Sequence, residues 1–369
     1  MNEIKTDFTP RFQRSVRIDT DFDDESIVSS FVSSETANKT LIEVCNHINN
    51  GQSAFTWTGA YGSGKSSLAV ILNGMLSHGN ASIHKKSISL VSEDVQNSIF
   101  NTFNSFSSRT VLPLVAGREN LEIQLLKKLL KLHKSSQKFD NIFDLISEIT
   151  QTSQLVIYVD ELGKYLEYAN SKNEDIYFLQ ELAEKANRSK GSLIFIGILH
   201  QSFSEYSKSS DKEIRDEWAK IQGRFIDIPI NVSVEEHLNL MAHALSYDKN
   251  EWIENDLHKS LLNFKEKLKK KYGWISKDNI DRLYPLNPVS ALLISAISKR
   301  SFAQNQRTIF GFLNSVEPFG FKTVYLNNLN IQNFNYSPSD LWDYMYANLD
   351  TSIVNSSDSH NWITSYECI

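Results

Sequence analysis

The segment from residue 59 to residue 66, Gly-Ala-Tyr-Gly-Ser-Gly-Lys-Ser, constrains the fold more than any other part of the chain. It follows a short apolar run, Ala54 to Thr58, and leads into a helix-like segment, Ser66 to Leu76. A strand before and a helix after such a loop distinguish a phosphate-binding loop from a glycine turn that carries Lys-Ser by chance. Glycine lets the backbone approach a phosphate closely, and successive N–H groups at a helix start attract anions. The sequence therefore predicts a phosphate-binding loop at this position.

The residues of this loop have separate predicted roles. Lys65 is predicted to reach the β- and γ-phosphates of a nucleoside triphosphate, and the Ser66 hydroxyl to bind Mg²⁺. The rest of the predicted phosphate cradle consists of Gly59, Ala60, Tyr61, Gly62, Ser63, Gly64 and Ser67. ATP and Mg²⁺ are accordingly the expected ligands.

Two carboxylates follow a second apolar run, Leu155 to Val159. In an open parallel sheet, ligands bind at the carboxyl ends of the strands, where Asp160 and Glu161 are expected to lie. Asp160 is predicted to support Mg²⁺, and Glu161 to be the base that activates water. The alternative is an acidic helix start, since the helix dipole favours carboxylates there. The phosphate-binding loop favours the metal site over this alternative.

His200 and Gln201 follow a third apolar run, Leu193 to Leu199. A polar residue at that strand end is a candidate to contact the γ-phosphate or to orient water. The alternative is a loop histidine or a capping glutamine, and the sequence does not distinguish which of the two side chains faces the phosphate.

Two arginines complete the predicted site. Arg224, just before the run Ile226 to Ile230, is predicted to act in trans on the nucleotide of a neighbouring subunit, which implies a homo-oligomer. The alternative is an arginine that forms a salt bridge at a strand edge. Arg307 is predicted to open a helix and to reach back to the nucleotide, and the alternative is an exposed arginine without such a role.

Apolar runs alternate with amphipathic stretches between about residues 54 and 230, a pattern typical of a parallel sheet covered by helices. The sequence thus predicts a three-layer α/β P-loop NTPase domain followed by a helical lid. The predicted strands are 54–58, 111–115, 155–159, 193–199 and 226–230, and the predicted helices include 66–76, 120–132, 175–187, 212–222, 234–244, 253–270 and 289–298. The predicted boundaries are a helical lead-in at 1–50, the α/β domain at 51–232, the lid at 233–320 and a further helical region from 321 to 369.

The composition indicates which binding partners and which cellular compartment to expect. A formal charge of −6 over 369 residues neither supports nor excludes binding to nucleic acid. Cys45 and Cys368 are far apart and match no disulfide or zinc spacing, so a reducing compartment is expected. The chain has no apolar run of about 18 residues, which a membrane span would need. A cytoplasmic protein with no membrane partner is predicted.

Several longer strings resemble the large bacterial P-loop ATPases of the AAA/STAND type found in phage-defence and DNA-modification gene clusters, including BREX-like systems. These strings are Arg-Phe-Gln-Arg-Ser-Val at 11–16, Asp-Glu-Leu-Gly-Lys-Tyr-Leu-Glu at 160–167, Arg-Asp-Glu-Trp-Ala-Lys-Ile-Gln-Gly-Arg-Phe at 215–225 and Ala-Gln-Asn-Gln-Arg-Thr at 303–308. The resemblance implies an AAA-like core, related in outline to replication-origin ATPases. It also implies DNA or the proteins of a defence complex as partners, and further C-terminal regions beyond this length.

The predicted function is Mg²⁺-dependent ATP hydrolysis by the core of such a machine. The first alternative is a slow nucleotide-binding switch that gates assembly of a complex. A kinase is the second alternative, and it is disfavoured because Glu161 directly follows Asp160. The motor and the switch share the same site, so they differ in whether DNA accelerates turnover and not in the residues of the loop.

Overall fold

The computed structural model describes residues 16–77, 80–133, 139, 141–172, 174–208, 211–245, 266, 282–300, 309–328, 334–356 and 359–367. The described residues form two compact units, which divide after Asn231. The first unit, from Val16 to Asn231, contains the sheet. The second unit is helical.

The sheet of the first unit has five parallel strands in the order β2-β3-β4-β1-β5. In chain order the strands are β1 (Ala54–Thr58), β2 (Arg109–Val115), β3 (Gln154–Asp160), β4 (Leu193–Leu199) and β5 (Ile226–Pro229). All five predicted strands are present, and their ends differ from the prediction by two residues at most. The predicted parallel α/β fold is confirmed.

Helices cover both faces of this sheet. They are α1 (Ile18–Asp21), α2 (Glu25–Ser30), α3 (Glu35–Asn49), α4 (Lys65–Leu76), α5 (Ala81–Ser89), α6 (Glu93–Phe103), α7 (Leu121–His133), α8 (Ile142–Thr152), α9 (Leu162–Lys172), α10 (Tyr177–Arg188), α11 (Phe203–Tyr206) and α12 (Lys212–Gln222). Helices α1 to α6 pack on one face, and α7 to α10 with α12 pack on the other.

Alternating side chains of the central strands supply the two cores. Along β3, Ile157 belongs to the core under α7 to α10, whereas its neighbours Val156 and Tyr158 belong to the core under α1 to α6. Every residue of β1, β3 and β4 is buried. A strand buried on both faces reads as a continuous apolar run, which explains why the sequence pattern located these strands.

The described part of the second unit contains α13 (Val234–Ala244), α14 (Pro288–Ile297), α15 (Ile309–Leu313), α16 (Phe321–Asn327), α17 (Pro338–Val354) and α18 (Ser359–Glu367). Its core includes an aromatic cluster in which the Phe312 ring contacts those of Phe321, Tyr336 and Tyr344. In the part of the chain that the structure describes, no helix is long and apolar enough to cross a membrane.

Candidate functional site

The phosphate-binding loop connects β1 to α4, and its glycines adopt backbone conformations that other residues rarely adopt. Gly62 and Gly64 have φ angles of 77° and 83°, in the left-handed region, and α4 begins directly after Gly64. A Cβ atom on Gly59 would lie 2.5 Å from the carbonyl oxygen of Ile230. The loop is therefore a tight backbone turn at the N-terminus of a helix, as phosphate binding requires.

The Lys65 side chain folds back over this loop. Its Nζ atom donates to the carbonyl oxygens of Gly59 and Ala60 at 2.5 and 2.8 Å and to Ser63 Oγ at 3.2 Å. The residue is only 4% exposed, and burial lowers its pKa to about 8, although the charge of Asp160 opposes the shift. A buried ammonium among neutral acceptors is poorly compensated, so an anionic phosphate would be a better partner for it.

Ser66, at the start of α4, meets Asp160, at the end of β3. The Ser66 hydroxyl donates to Asp160 Oδ2 at 2.7 Å, and the backbone N–H of Glu161 donates to Asp160 Oδ1 at 2.8 Å. Asp160 is 4% exposed, and burial raises the pKa of its carboxyl against the opposing effect of the Ser66 hydrogen bond. A cation next to Asp160 would offset the free-energy cost of burying its charged carboxylate.

These oxygen atoms fit the requirements of Mg²⁺. Among the described residues, no three His, Cys, Asp or Glu side chains converge into a protein-only metal cage. Mg²⁺ is usually held by one or two protein oxygen ligands together with substrate phosphates and water. A hydroxyl and a buried carboxylate beside a phosphate-binding loop match that mode of binding.

Glu161 follows β3 in the left-handed region, with a φ angle of 55°. Its carboxylate Oε2 lies 2.6 Å from the ammonium of Lys164, in the first turn of α9. A non-glycine residue with this backbone conformation is uncommon and is often found at functional sites.

His200 lies at the end of β4, the strand between β1 and β3. Its ring stacks on that of Tyr61 from the phosphate-binding loop, with ring centroids 3.4 Å apart. Both ring nitrogens are shielded from solvent and have no hydrogen-bond partner within the described chain. Burial, followed by the charges of Lys65 and Lys164, lowers the pKa of His200 to about 3, so the imidazole is neutral. It is the side chain at this strand end that turns inward, whereas Gln201 is exposed.

The strand register explains why these residues converge. Thr58 of β1 pairs with Leu199 of β4, and Val159 of β3 pairs with Gly197 of β4. The residues that follow each of these strands therefore lie together at the carboxyl ends of the strands. The loop, the two carboxylates and His200 are brought together there.

Arg224 lies at the opposite end of the sheet, where the strands begin. Its carbonyl oxygen accepts from Asn187 Nδ2 at 3.0 Å, and Asn187 Oδ1 accepts from the backbone N–H of Ser53, just before β1. The Arg224 guanidinium pairs with Glu184 at 3.5 Å. The strands rise about 3.3 Å per residue, so the length of β1 separates Arg224 from the loop of the same chain. The salt bridge to Glu184 fits the structural alternative, and the role in trans stays a prediction. Arg307 lies outside the described residues.

Lys164 is a residue of the site to which the sequence analysis gave no role. It belongs to the string at 160–167, three positions after Glu161. An i, i+3 spacing places two residues on the same side of a helix only when both are helical, and Glu161 precedes α9. Because that spacing also describes ordinary surface ion pairs, the structure was needed to show where the pair lies.

Comparison with known proteins gives only distant similarities. No family model matches the chain, and no curated protein matches its sequence. Domain III of the Thermotoga maritima replication initiation protein DnaA is 15% identical over 73% of this chain and 98% of that chain, with a TM-score of 0.32. The Aeropyrum pernix ORC2 protein, solved as ADPNP-ADP complexes, is 12% identical over 90% of this chain and 88% of that chain, with a TM-score of 0.37.

The class of the domain follows from its own topology. The loop strand β1 and the Asp160 strand β3 are separated by β4, and helices lie on both faces of the parallel sheet. This is a three-layer α/β domain with a phosphate-binding loop after β1, followed in the chain by a helical unit.

Proposed function

We propose that this chain binds ATP with Mg²⁺ at the loop 59–66 and hydrolyses it. The observation that carries the proposal is the 2.7 Å hydrogen bond between the Ser66 hydroxyl and the Asp160 carboxylate. It joins, from two separate elements, the hydroxyl and the carboxylate that P-loop enzymes use to hold Mg²⁺. A helix-capping role for Asp160 would not require a buried carboxylate beside the phosphate-binding loop.

Each residue of the site has a separate proposed role in binding or hydrolysis. The backbone N–H groups at the start of α4 and the Lys65 ammonium would bind the phosphates. Lys65 would then donate to phosphate oxygens in place of the loop carbonyls. Mg²⁺, held by Ser66 and Asp160, would supply charge neutralisation on the phosphate oxygens. Glu161 would accept the proton of the attacking water. The neutral His200 has one N–H donor to offer to a phosphate oxygen or to that water.

Binding is tested first with Lys65→Ala. Loss of the cation that faces the β- and γ-phosphates should weaken ATP binding by about tenfold or more, measured by titration calorimetry with a non-hydrolysable analogue. Lys39→Ala is the control, because it removes an exposed lysine of α3 that pairs with Glu35. Wild-type affinity in the Lys65 variant would refute the assignment of the loop.

Hydrolysis is tested with Glu161→Gln. The amide keeps the shape of the side chain but cannot accept the proton, so turnover should fall by about 100-fold or more while ATP stays bound. Turnover within about threefold of wild type would assign the general base to another residue.

For the wider setting, we propose DNA as the partner to test first, on the basis of the sequence resemblance to ATPases of DNA-modification and phage-defence clusters. The measurement is ATP turnover with and without DNA. A motor should accelerate on its track, whereas a switch that gates assembly of a complex would turn over slowly in both conditions.

A further inference from the structure

The carboxylate of Glu161 has a single charged neighbour at bonding distance in the described part of the chain. Lys164 Nζ lies 2.6 Å from Glu161 Oε2, and the backbone N–H of Lys164 donates to the carbonyl oxygen of Glu161 at 2.9 Å. The side chains are 48% and 27% exposed, respectively. The ammonium contacts Oε2, which leaves Oε1 to accept a hydrogen bond from water.

This ion pair differs from an ordinary pair along a helix surface. Glu161 precedes α9 and has a left-handed backbone, so the helix does not set the direction of its side chain. Its backbone N–H is committed to Asp160 Oδ1. The contact with Lys164 is therefore what holds the carboxylate in one direction.

Lys164 also lies near the end of the sheet at which the nucleotide would bind. Its positive charge and that of Lys65 both reach His200 and lower the pKa of that imidazole. His200 stacks on Tyr61 of the phosphate-binding loop. Lys164 lies in the first turn of α9, directly after the end of β3 at which Asp160 meets Ser66.

We propose that Lys164 is a positioning residue for ATP hydrolysis, whose ammonium holds Glu161 Oε2 so that Oε1 receives the proton of the attacking water. This role rests on the proposed function. It has a physical basis, because a general base displaced by about 1 Å loses much of its rate advantage. An exposed i, i+3 pair contributes little to stability, so the contribution lies in orientation and not in folding.

The test compares Lys164→Met, Lys164→Arg, Glu161→Gln and the double variant Lys164→Met/Glu161→Gln. Lys164→Met should lower kcat by about tenfold and leave the ATP Kd within about twofold, while Lys164→Arg keeps most of the rate. The double variant should be no slower than Glu161→Gln, since Lys164 acts through that carboxylate. Lys172→Met, an exposed lysine at the end of α9, is the matched control.

Three outcomes would overturn the positioning role: an unchanged kcat in Lys164→Met, a faster kcat, or a double variant slower than Glu161→Gln. A fall in ATP affinity relative to ADP would also overturn it, because Lys164 would then bind the γ-phosphate directly.

A second measurement is independent of turnover. In the nucleotide-free protein, the ¹⁵N chemical shift of the Lys164 side chain should differ from that of the exposed Lys172, and the difference should disappear in Glu161→Gln. A difference that persists in the variant would overturn the ion pair. A wild type without Lys65-dependent ATP turnover would refute the proposed function, whereas normal turnover with an inert Lys164→Met refutes only the positioning role.

Discussion

Ser66 donates a hydrogen bond of 2.7 Å to Asp160, and the two residues are 94 positions apart in sequence. The bond joins the first turn of α4 to the end of β3, across the intervening strand β4. Because the hydroxyl and the carboxylate already face each other, a cation between them and the phosphates would need little rearrangement of the protein. Under the proposed function, this pair would hold Mg²⁺ beside the phosphates.

Ser66→Ala should therefore weaken ATP binding mainly when Mg²⁺ is present. Removing the hydroxyl deletes the proposed metal ligand and one hydrogen bond to a buried carboxylate, the latter worth on the order of 1 kcal/mol. ATP affinity measured with Mg²⁺ and with EDTA should differ less in the variant than in wild type. Ser67→Ala, which removes the next hydroxyl but keeps the backbone N–H, is the control, and an equal loss in both variants would contradict a metal role for Ser66.

Gly59→Ala should reduce ATP affinity by distorting the loop. The new Cβ would lie 2.5 Å from the carbonyl oxygen of Ile230, a backbone atom that cannot rotate away, so the loop must shift. Gly117→Ala is the matched control, because its Cβ would meet only ordinary contacts at 3.7 Å or more. Calorimetric titration with an ATP analogue should show a loss for the first variant alone. Equal affinities would show that the loop tolerates displacement.

The acid stability of the second unit should depend on His237 of α13. This side chain is 6% exposed, its Nδ1 lies 2.9 Å from Ser295 Oγ, and burial, assisted by the charge of Lys299, lowers its pKa from 6.5 to about 4. Above pH 6.5 the ring is neutral in both folded and unfolded chains. Between pH 6.5 and 4 only the unfolded chain gains the proton, so stability falls as the pH falls.

From these values the loss attributable to His237 between pH 8 and pH 5 is on the order of 2 kcal/mol. Urea unfolding at the two pH values should show a smaller loss in His237→Asn than in wild type. His243→Asn changes an exposed histidine of the same helix and serves as the control. The same pH dependence in wild type and in His237→Asn would show that other groups set the acid stability.

The sequence predicted the strands and the meeting of Ser66 with Asp160 because both follow from local patterns. Runs such as Leu193–Leu199 are apolar along their whole length because the strand is buried on both faces. Asp160 was expected near Ser66 because parallel strands end at one edge of a sheet. These inferences need no knowledge of strand order.

Other features depend on strand order and on backbone conformation, which the local pattern does not contain. His200 meets Tyr61 only because β4 lies between β1 and β3. The pairing of Glu161 with Lys164 depends on the left-handed backbone of Glu161, at a position where the sequence has no glycine to signal it. Helices α5, α6, α8 and α9 were not predicted either.

The role of Arg224 in trans remains a prediction, and its position makes a specific test possible. Its backbone is linked through Asn187 to the amino end of β1, and its guanidinium pairs with Glu184. Arg224→Ala should lower turnover on the order of 10³-fold if the guanidinium stabilises the γ-phosphate of a neighbouring subunit. Arg188→Ala is a closely matched control, because Arg188 pairs with the same carboxylate, Glu184, at the same distance of 3.5 Å.

A purely structural Arg224 would give a different result, since a half-exposed ion pair contributes at most about 1 kcal/mol to stability and nothing to the rate of the folded protein. The decisive measurement mixes Arg224→Ala with Lys65→Ala protein. Some interfaces then combine the intact loop of one subunit with the intact arginine of the other, so turnover should partly return. If the mixture stays inactive while each variant is folded, or if the wild type hydrolyses ATP as a strict monomer, Arg224 does not act across subunits.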